Sequence, residues 1–538
     1  MRLHLCSIVS LVLAGGAPLL AQAPVDSIPA QSATSLVVQV DAHAATTPFP
    51  HFWEQTFGSG RAILSLRQEY RDDLKTVKQA TNFQSVRFHG IFMDEVGLYD
   101  PNRKSVNPGQ SAQAVQTNGV YNFSYIDAIY DGLLENGVKP FVELSFMPKL
   151  MASDPAALHA FWYKQNVSPP KDYAQWDAMI KAFAQHLLDR YGIAEISSWK
   201  FEVWNEPNID FWAGNPKQAT YFELYDHTAR DLKSVDKRIQ VGGPATAQAA
   251  WVPDFLEHCK QQKIPVDFVS THVYGNERAK DVFGVGSSQA EEQIPRDQMV
   301  CRAVGHVHEQ ILASPYPKMP LILSEYNASY ANEPNVTDTV YIGPWLAGTI
   351  SKCDGLTEAM SYWDFSDVFE EQGVTRTPFY GGFGLIASDE IPKPALHAFA
   401  MLHQLGDRRI ALASDSALAT KRSDGAVVLA LWNYAPPFGE GATYTPPPAN
   451  PGPAKMFTVK LSGVSANAAV TILRLDEDHG NVLKVYDAMG RPDDPTREQI
   501  LALRRAGRSS EPEQTHLKDG NLSVSIPPQG LVVVTVTK

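Results

Sequence analysis

Cysteine is scarce, with four residues in 538. Cys6 lies in an N-terminal stretch with the marks of an export signal, which leaves Cys259, Cys301 and Cys353. Three thiols on helix-like segments make no disulfide framework, and their spacing fits no zinc site, so they read as packing residues. Basic charge is also short: 46 Lys and Arg stand against 59 Asp and Glu, a formal net charge of −13. No long basic run occurs. Nucleic acid and anionic membranes need clustered cations and are excluded as main partners. Beyond the N-terminus no apolar run is long enough to span a bilayer. A dinucleotide-binding glycine loop is missing as well, since Gly58-Ser59-Gly60 lacks the remaining spacing and reads as a turn. His306 and His308 lie on a helical stretch rather than at strand ends, so no metal site is expected, nor any other cofactor.

What is present begins with Arg2, the apolar stretch Ile8–Leu13 and the small-x-small run Ala21-Gln22-Ala23. This pattern predicts a signal peptide over residues 1–23 and a secreted or periplasmic protein. Gly15, Gly16 and Pro18 interrupt the stretch and argue against a membrane anchor. Aromatic residues make up 10% of the chain, ten of them Trp. Flat rings suit the apolar faces of sugars.

From about residue 50 to 405, short apolar runs alternate with amphipathic helical stretches, the order of repeated βα units. The candidate strands are Phe52–Phe57, Ser85–His89, Pro140–Leu144, Trp199–Trp204, Gln240–Gly243, Phe268–His272, Leu321–Ser324 and Glu358–Trp363. Tyr173–Tyr191, Ala219–Val235 and Ile294–Ala313 are among the helical stretches between them. Eight such units predict a (β/α)8 barrel over residues 50–405. Residues 406–538 are β-rich, with Ala435–Ala454 a proline-rich loop, and predict an accessory β-sandwich domain. Residues 24–49 hold a strand, Leu36–Asp41, expected to pair with that C-terminal domain.

Catalytic groups of such barrels sit at the C-terminal ends of strands. Glu206 follows the fourth strand in Trp204-Asn205-Glu206-Pro207, and Glu325 follows the seventh in Leu323-Ser324-Glu325-Tyr326. Hydrolysis of a glycosidic bond needs two carboxyl groups, one protonated to release the leaving oxygen and one ionised to attack. A glutamate after a strand is commonly just a solvated loop residue. The pairing of these two, one with Asn before it and one with Tyr after it, points to catalysis. Glu143, also at a strand end, has no partner motif and reads as a buried structural pair.

The motifs extend along the barrel: Val86-Arg87-Phe88-His89-Gly90, Phe146-Met147-Pro148, Glu202-Val203-Trp204-Asn205-Glu206-Pro207-Asn208, Thr271-His272-Val273-Tyr274, Ser324-Glu325-Tyr326-Asn327 and Tyr362-Trp363-Asp364-Phe365-Ser366-Asp367-Val368-Phe369-Glu370-Glu371. In these the chain resembles glycoside hydrolase family 39, which contains β-xylosidases and α-L-iduronidases. The resemblance implies a retaining mechanism with Glu206 as acid/base and Glu325 as nucleophile. It further implies that Asn205 binds the sugar 2-hydroxyl and that Tyr274 positions the nucleophile. His272 would order Tyr274's neighbourhood or touch substrate, His89 would bind outer hydroxyls, and Trp363 would wall the subsite. Phe146 would add an aromatic surface, and Glu370 would accept hydrogen bonds from hydroxyls at the ring's far end.

The expected partner is a small saccharide. Long segments after the third and sixth strands, Ser145–Lys171 and Gly275–Gln298, favour a pocket and exo-action over a long cleft. Glu370 and Glu371 would repel an iduronide carboxylate, so release of β-D-xylose from xylo-oligosaccharides is the expected activity. Arg376 keeps the iduronide alternative open, an α-L-arabinosidase is a second one, and a non-catalytic carbohydrate-binding barrel a third.

Overall fold

In the computed structural model, which describes residues 34–101 and 120–537, two strands come first: β1 (Thr34–Asp41) and β2 (Thr46–Pro48). The next eight are β3 (Thr56–Arg61), β4 (Ser85–His89), β5 (Lys139–Leu144), β6 (Lys200–Val203), β7 (Gln240–Thr246), β8 (Phe268–Tyr274), β9 (Leu321–Asn327) and β10 (Ala359–Tyr362). They close in chain order into a parallel barrel, β10 pairing back onto β3. Each strand faces the barrel interior on one side and helices on the other, which is why its residues are buried almost without alternation. Helices Tyr173–Tyr191, Lys217–Val235 and Arg296–Leu312 connect strands as the periodicity predicts. The first of them starts where the Asp172 carboxylate accepts the Ala174 N–H at 2.9 Å.

The first barrel strand departs from the sequence reading. It runs Thr56–Arg61 instead of Phe52–Phe57, and Gly58-Ser59-Gly60 lies inside it. The glycines are there for space: a Cβ on Gly58 would fall 2.1 Å from Trp363 Cε3, and one on Gly60 3.1 Å from Phe369 Cα. Both aromatic residues belong to the segment that follows β10. Close approach, and no turn, explains these glycines.

Two further sheets lie beyond the barrel. In one, β1 pairs in parallel with Lys455–Ser462, which pairs antiparallel with Asn521–Ile526. The other is antiparallel, in the order Glu513–His516, Ala469–Leu475, Gly530–Val536, Val427–Asn433, Ala417–Lys421, Arg408–Ile410 and β2. Val38, Val40, Phe457, Val459 and Val524 of the first sheet share a core with Val427, Leu429, Val470, Val532 and Val534 of the second. Each such side chain contributes about 1.5–3 kcal/mol by leaving water. The second sheet's other face, with Val428, Ala430, Trp432 and Val533, joins the barrel's own core. There Gly343, on helix Ile342–Cys353, packs against Leu475 and Leu531. Both faces of this sheet are therefore covered.

The cysteines are not all packing residues. Cys301, on helix Arg296–Leu312, and Cys353, at the end of helix Ile342–Cys353, form a disulfide across 52 residues, and among the described residues Cys259 is the one free thiol, buried. Their helices pack side by side, which no spacing rule in the sequence reveals. Residues 1–23, read as a signal peptide, lie outside the described residues. No helix among the described residues is long and apolar enough to cross a membrane.

Candidate active site

Parallel strands deliver all their C-terminal ends to one mouth of the barrel. β4 ends at His89, β6 leads into Asn205 and Glu206, β8 carries His272 and Tyr274, β9 carries Glu325, and β10 leads into Trp363. Trp204 and Glu206 have φ of 71° and 43°, a region that residues with a side chain rarely adopt. The turn is fixed by Glu206 N–H donating to Ala245 O at 2.8 Å and Trp204 Nε1 donating to Phe211 O at 2.8 Å.

The mouth encloses a cavity of about 400 Å³ lined by Glu206 and Glu325 together with His89, Asn205, Tyr274 and Trp363. A carboxylate oxygen of Glu206, one of Glu325 and a ring nitrogen of His272 all lie within 4.8 Å of one another. Burial, then the charge of Glu325, then that of Glu277, hold the Glu206 carboxyl well above the ordinary carboxylate range. Burial also raises Glu325, but Arg87, His89 and the Tyr274 hydroxyl oppose it. Tyr274 donates its O–H to Glu325 Oε2 at 2.6 Å. Both carboxyls are held above the ordinary range, Glu206 further than Glu325, so of the pair Glu206 keeps its proton and Glu325 ionises first.

Arg87 organises the floor. It is fully buried; its Nε lies 2.5 Å from Glu202 Oε2 and its Nη1 2.6 Å from Glu325 Oε1. Nη2 reaches Asn205 Oδ1 at 2.9 Å and Glu143 Oε2 at 2.8 Å. Burial works against the guanidinium's charge, but Glu202, Glu143 and Glu325 outweigh it. No motif in the sequence assigns Arg87 a role, although an arginine between Val86 and Phe88 in an otherwise apolar strand is a signal in itself. Glu143 pairs with Arg87 and, at 2.7 Å, with His89 Nδ1. Burial would raise its carboxyl, and the charges of His89 and Arg87 bring it below the usual range instead.

His272 sits behind the two glutamates and off the cavity wall. Its Nδ1 lies 3.0 Å from Glu206 Oε1 and 3.6 Å from Glu325 Oε2. Burial, Arg87 and His89 hold its pKa well below the ordinary value, so the ring is neutral and shares one hydrogen bond with Glu206. The three atoms could also chelate a cation, as could those of His51, Glu54 and His403 where the chain approaches β3. At the first cluster, however, Arg87 already supplies the counter-charge.

Two expected residues lie elsewhere. Phe146 is fully buried behind the wall, edge-on to Trp204 with ring centres 5.5 Å apart and stacked on Phe211 at 6.1 Å. Glu370 turns away from the cavity, where Arg61 Nη1 and Arg67 Nη2 approach its two oxygens at 2.8 and 2.5 Å. Its φ of 85° reverses the chain there, and Glu371 lines the cavity in its place. Burial and the neighbouring Glu325 charge hold Glu371 well above the usual carboxylate range.

Two carboxyls flanking one glycosidic bond, one holding its proton more strongly than the other, are the requirement for glycosidic cleavage. The class so defined is glycoside hydrolase. Comparison with known proteins narrows it, because the model of glycosyl hydrolases family 39 matches residues 36–521, and the chain belongs to that family. A β-xylosidase of Geobacillus stearothermophilus is 38% identical over 488 residues, covering 89% of this chain and 90% of that one. One from Caldicellulosiruptor saccharolyticus is 34% identical over 502 residues, covering 90% and 95%. The crystal structure of the family 39 enzyme from Xanthomonas axonopodis pv. citri matches with a TM-score of 0.80 at 31% identity, over 96% of this chain and 99% of that one. The family match runs past the barrel into the C-terminal sheets.

Proposed function

We propose that the enzyme releases β-D-xylose from the ends of xylo-oligosaccharides with retention, Glu206 serving as acid/base and Glu325 as nucleophile. The observation that carries this reading is the approach of the two carboxylates to within 4.8 Å. Retaining enzymes hold their carboxyls roughly 5–5.5 Å apart, whereas inverting enzymes leave about 6.5–9.5 Å for a water. Glu206 protonates the glycosidic oxygen as Glu325 attacks the anomeric carbon, giving a glycosyl-enzyme and a free leaving group. The ester at Glu325 carries no charge, so one of the causes that raise Glu206 disappears. Having passed its proton to the leaving group, Glu206 therefore stays ionised and takes a proton from the water that attacks the anomeric carbon and displaces Glu325. Asn205 has its Oδ1 held by Arg87 while its buried Nδ2 has no partner among the described residues, which suits a donor for the sugar 2-hydroxyl.

The cavity supports a neutral glycone. Among the described residues no Lys or Arg lines it, while Glu277 and Glu371 do. An iduronide carboxylate would meet two further carboxyls and no cation. Arg376, exposed and 3.2 Å from Asp494, is engaged elsewhere. The names of the two curated relatives support the same sugar.

Hydrolysis of an aryl β-D-xylopyranoside tests both sugar and roles. Azide is expected to restore Glu325→Ala with formation of α-xylosyl azide and Glu206→Ala with β-xylosyl azide. Activity on an aryl iduronide or arabinoside alone would overturn the sugar and leave the mechanism.

We also read residues 1–23 as an export signal, and the Cys301–Cys353 disulfide supports an oxidising compartment. Sequencing the N-terminus of the exported protein should find Pro24 first.

A further inference from the structure

The mechanism uses the residues around Glu325 and leaves one part of the cavity wall without a task. Gln248, Glu277 and Tyr330 come from the segments after β7, β8 and β9 and line the same cavity. They stand beside Glu206. Its backbone N–H is held by Ala245 O at 2.8 Å, three residues before Gln248, and Glu277 is among the charges felt by its carboxyl. In the double displacement Glu206 faces the glycosidic oxygen, so the group bonded to that oxygen rests against this wall. Building on the retaining reading above, we propose that Gln248, Glu277 and Tyr330 form the binding site for the leaving group, and that it takes a neutral, hydroxylated sugar ring.

The wall is built to hold a shape. Asn208 clamps the loop after β7, its Nδ2 donating to Ala247 O at 3.0 Å and its Oδ1 accepting Ala247 N–H at 2.9 Å. Thr246 Oγ1 donates to Ala250 O at 2.5 Å. Ala245 at the end of β7 and Gln248, Ala249 and Trp251 beyond it all have φ between 54° and 63°. Residues with side chains rarely adopt that conformation, and they are kept in it where a site fixes them.

The chemistry offered suits a sugar. Gln248 Nε2 donates to Glu277 Oε2 at 3.1 Å, so an amide and a carboxyl stand together. Burial pushes the Glu277 carboxyl up to about 7, so near neutrality it can donate as well as accept. Vicinal hydroxyls need both. Tyr330 is 55% exposed, yet its backbone N–H is fixed by Asn276 Oδ1 at 3.0 Å, and Asn276 Nδ2 donates to Ser329 Oγ at 3.0 Å. Its ring stands perpendicular to Tyr274 with centres 6.3 Å apart. A ring so placed at the rim presents an apolar face to the C–H face of a pyranose. Among the described residues nothing cationic lines this wall, which disfavours a uronic acid as leaving group.

The test compares kcat/KM for xylobiose and 2,4-dinitrophenyl β-D-xylopyranoside in the wild type, Gln248→Ala, Glu277→Ala and Tyr330→Ala. Dinitrophenolate departs with little acid help and has no hydroxyls. The expected result is a fall of at least tenfold in the ratio of the two values for Glu277→Ala and Tyr330→Ala, carried by KM for xylobiose. An equal fall on both substrates, or none on either, overturns the proposal. The matched arabinobiose and aryl arabinoside pair is run in parallel. A wild type active only on that pair overturns the xylose reading, and the ratio measured there decides the leaving-group site. Tyr330 is surface-exposed, so its variant folds even if Glu277→Ala does not.

Discussion

Arg87 Nη1 stands 2.6 Å from Glu325 Oε1 while its Nε stands 2.5 Å from Glu202 Oε2, so one buried guanidinium holds Glu325, the proposed nucleophile, to the barrel floor. Lysine offers a point charge and no fork. Arg87→Lys leaves Glu202 or Glu143 buried without its partner, and breaking such a pair costs about 3–5 kcal/mol. Urea unfolding should record that loss, and kcat/KM should fall about a hundredfold or more as Glu325 and Asn205 lose their hold. Stability within about 1 kcal/mol of wild type would mean the carboxylates find other partners.

Tyr274→Phe removes only the hydroxyl that donates to Glu325 at 2.6 Å. That bond lowers the Glu325 carboxyl, so its loss raises it. As the proposed nucleophile, Glu325 must be ionised. The acid limb of the kcat/KM profile should therefore move to higher pH, with kcat down roughly 10- to 100-fold, the worth of a hydrogen bond to a charged group. An unmoved limb would separate Tyr274 from the nucleophile's charge.

Gly58→Ala places a methyl 2.1 Å from Trp363 Cε3, inside the ring's own volume. The ring has to shift. Overpacking of this kind costs about 1–3 kcal/mol, and the moved wall should raise KM for the xyloside. Thermal unfolding and steady-state kinetics would detect both effects.

Glu54 is fully buried between His403 and His51. Burial raises its carboxyl, but hydrogen bonds from His403 and His51 bring it below the ordinary value. The bond to Glu54 raises His403 in turn. His403 contributes fully below its unfolded value of about 6.5 and loses that contribution as pH rises through its higher folded value. Glu54 contributes fully above about 4.3 and loses it as pH falls through its lower folded value. His403→Ala should therefore lower Tm more at about pH 5.5 than at about pH 9. Equal losses at both would mean the contact is packing alone.

The barrel and its two glutamates are legible in the sequence because strand, motif and mechanism constrain one another. Glu206 and Glu325 are placed by chain order alone. The β3 register is hidden, because Gly58 and Gly60 answer to Trp363 and Phe369, three hundred residues away, and local pattern reads them as a turn. Glu370 and Glu371 differ by one position, and only the backbone reversal at Glu370 decides which of them reaches the cavity. Arg87 is visible as an anomaly but not as a role, since its partners Glu143, Glu202 and Glu325 come from three other strands.

The sheet through Val427–Asn433 is greasy on both sides: one face belongs to the C-terminal core and the other to the barrel. A gene cut after residue 405 would strip that cover from helix Ile342–Cys353, where Gly343 approaches Leu475 and Leu531 and Gly348 approaches Trp432. Engineers who treat the C-terminal region as a detachable module should expect an insoluble catalytic fragment. Fusions and circular permutations belong at the surface loops instead.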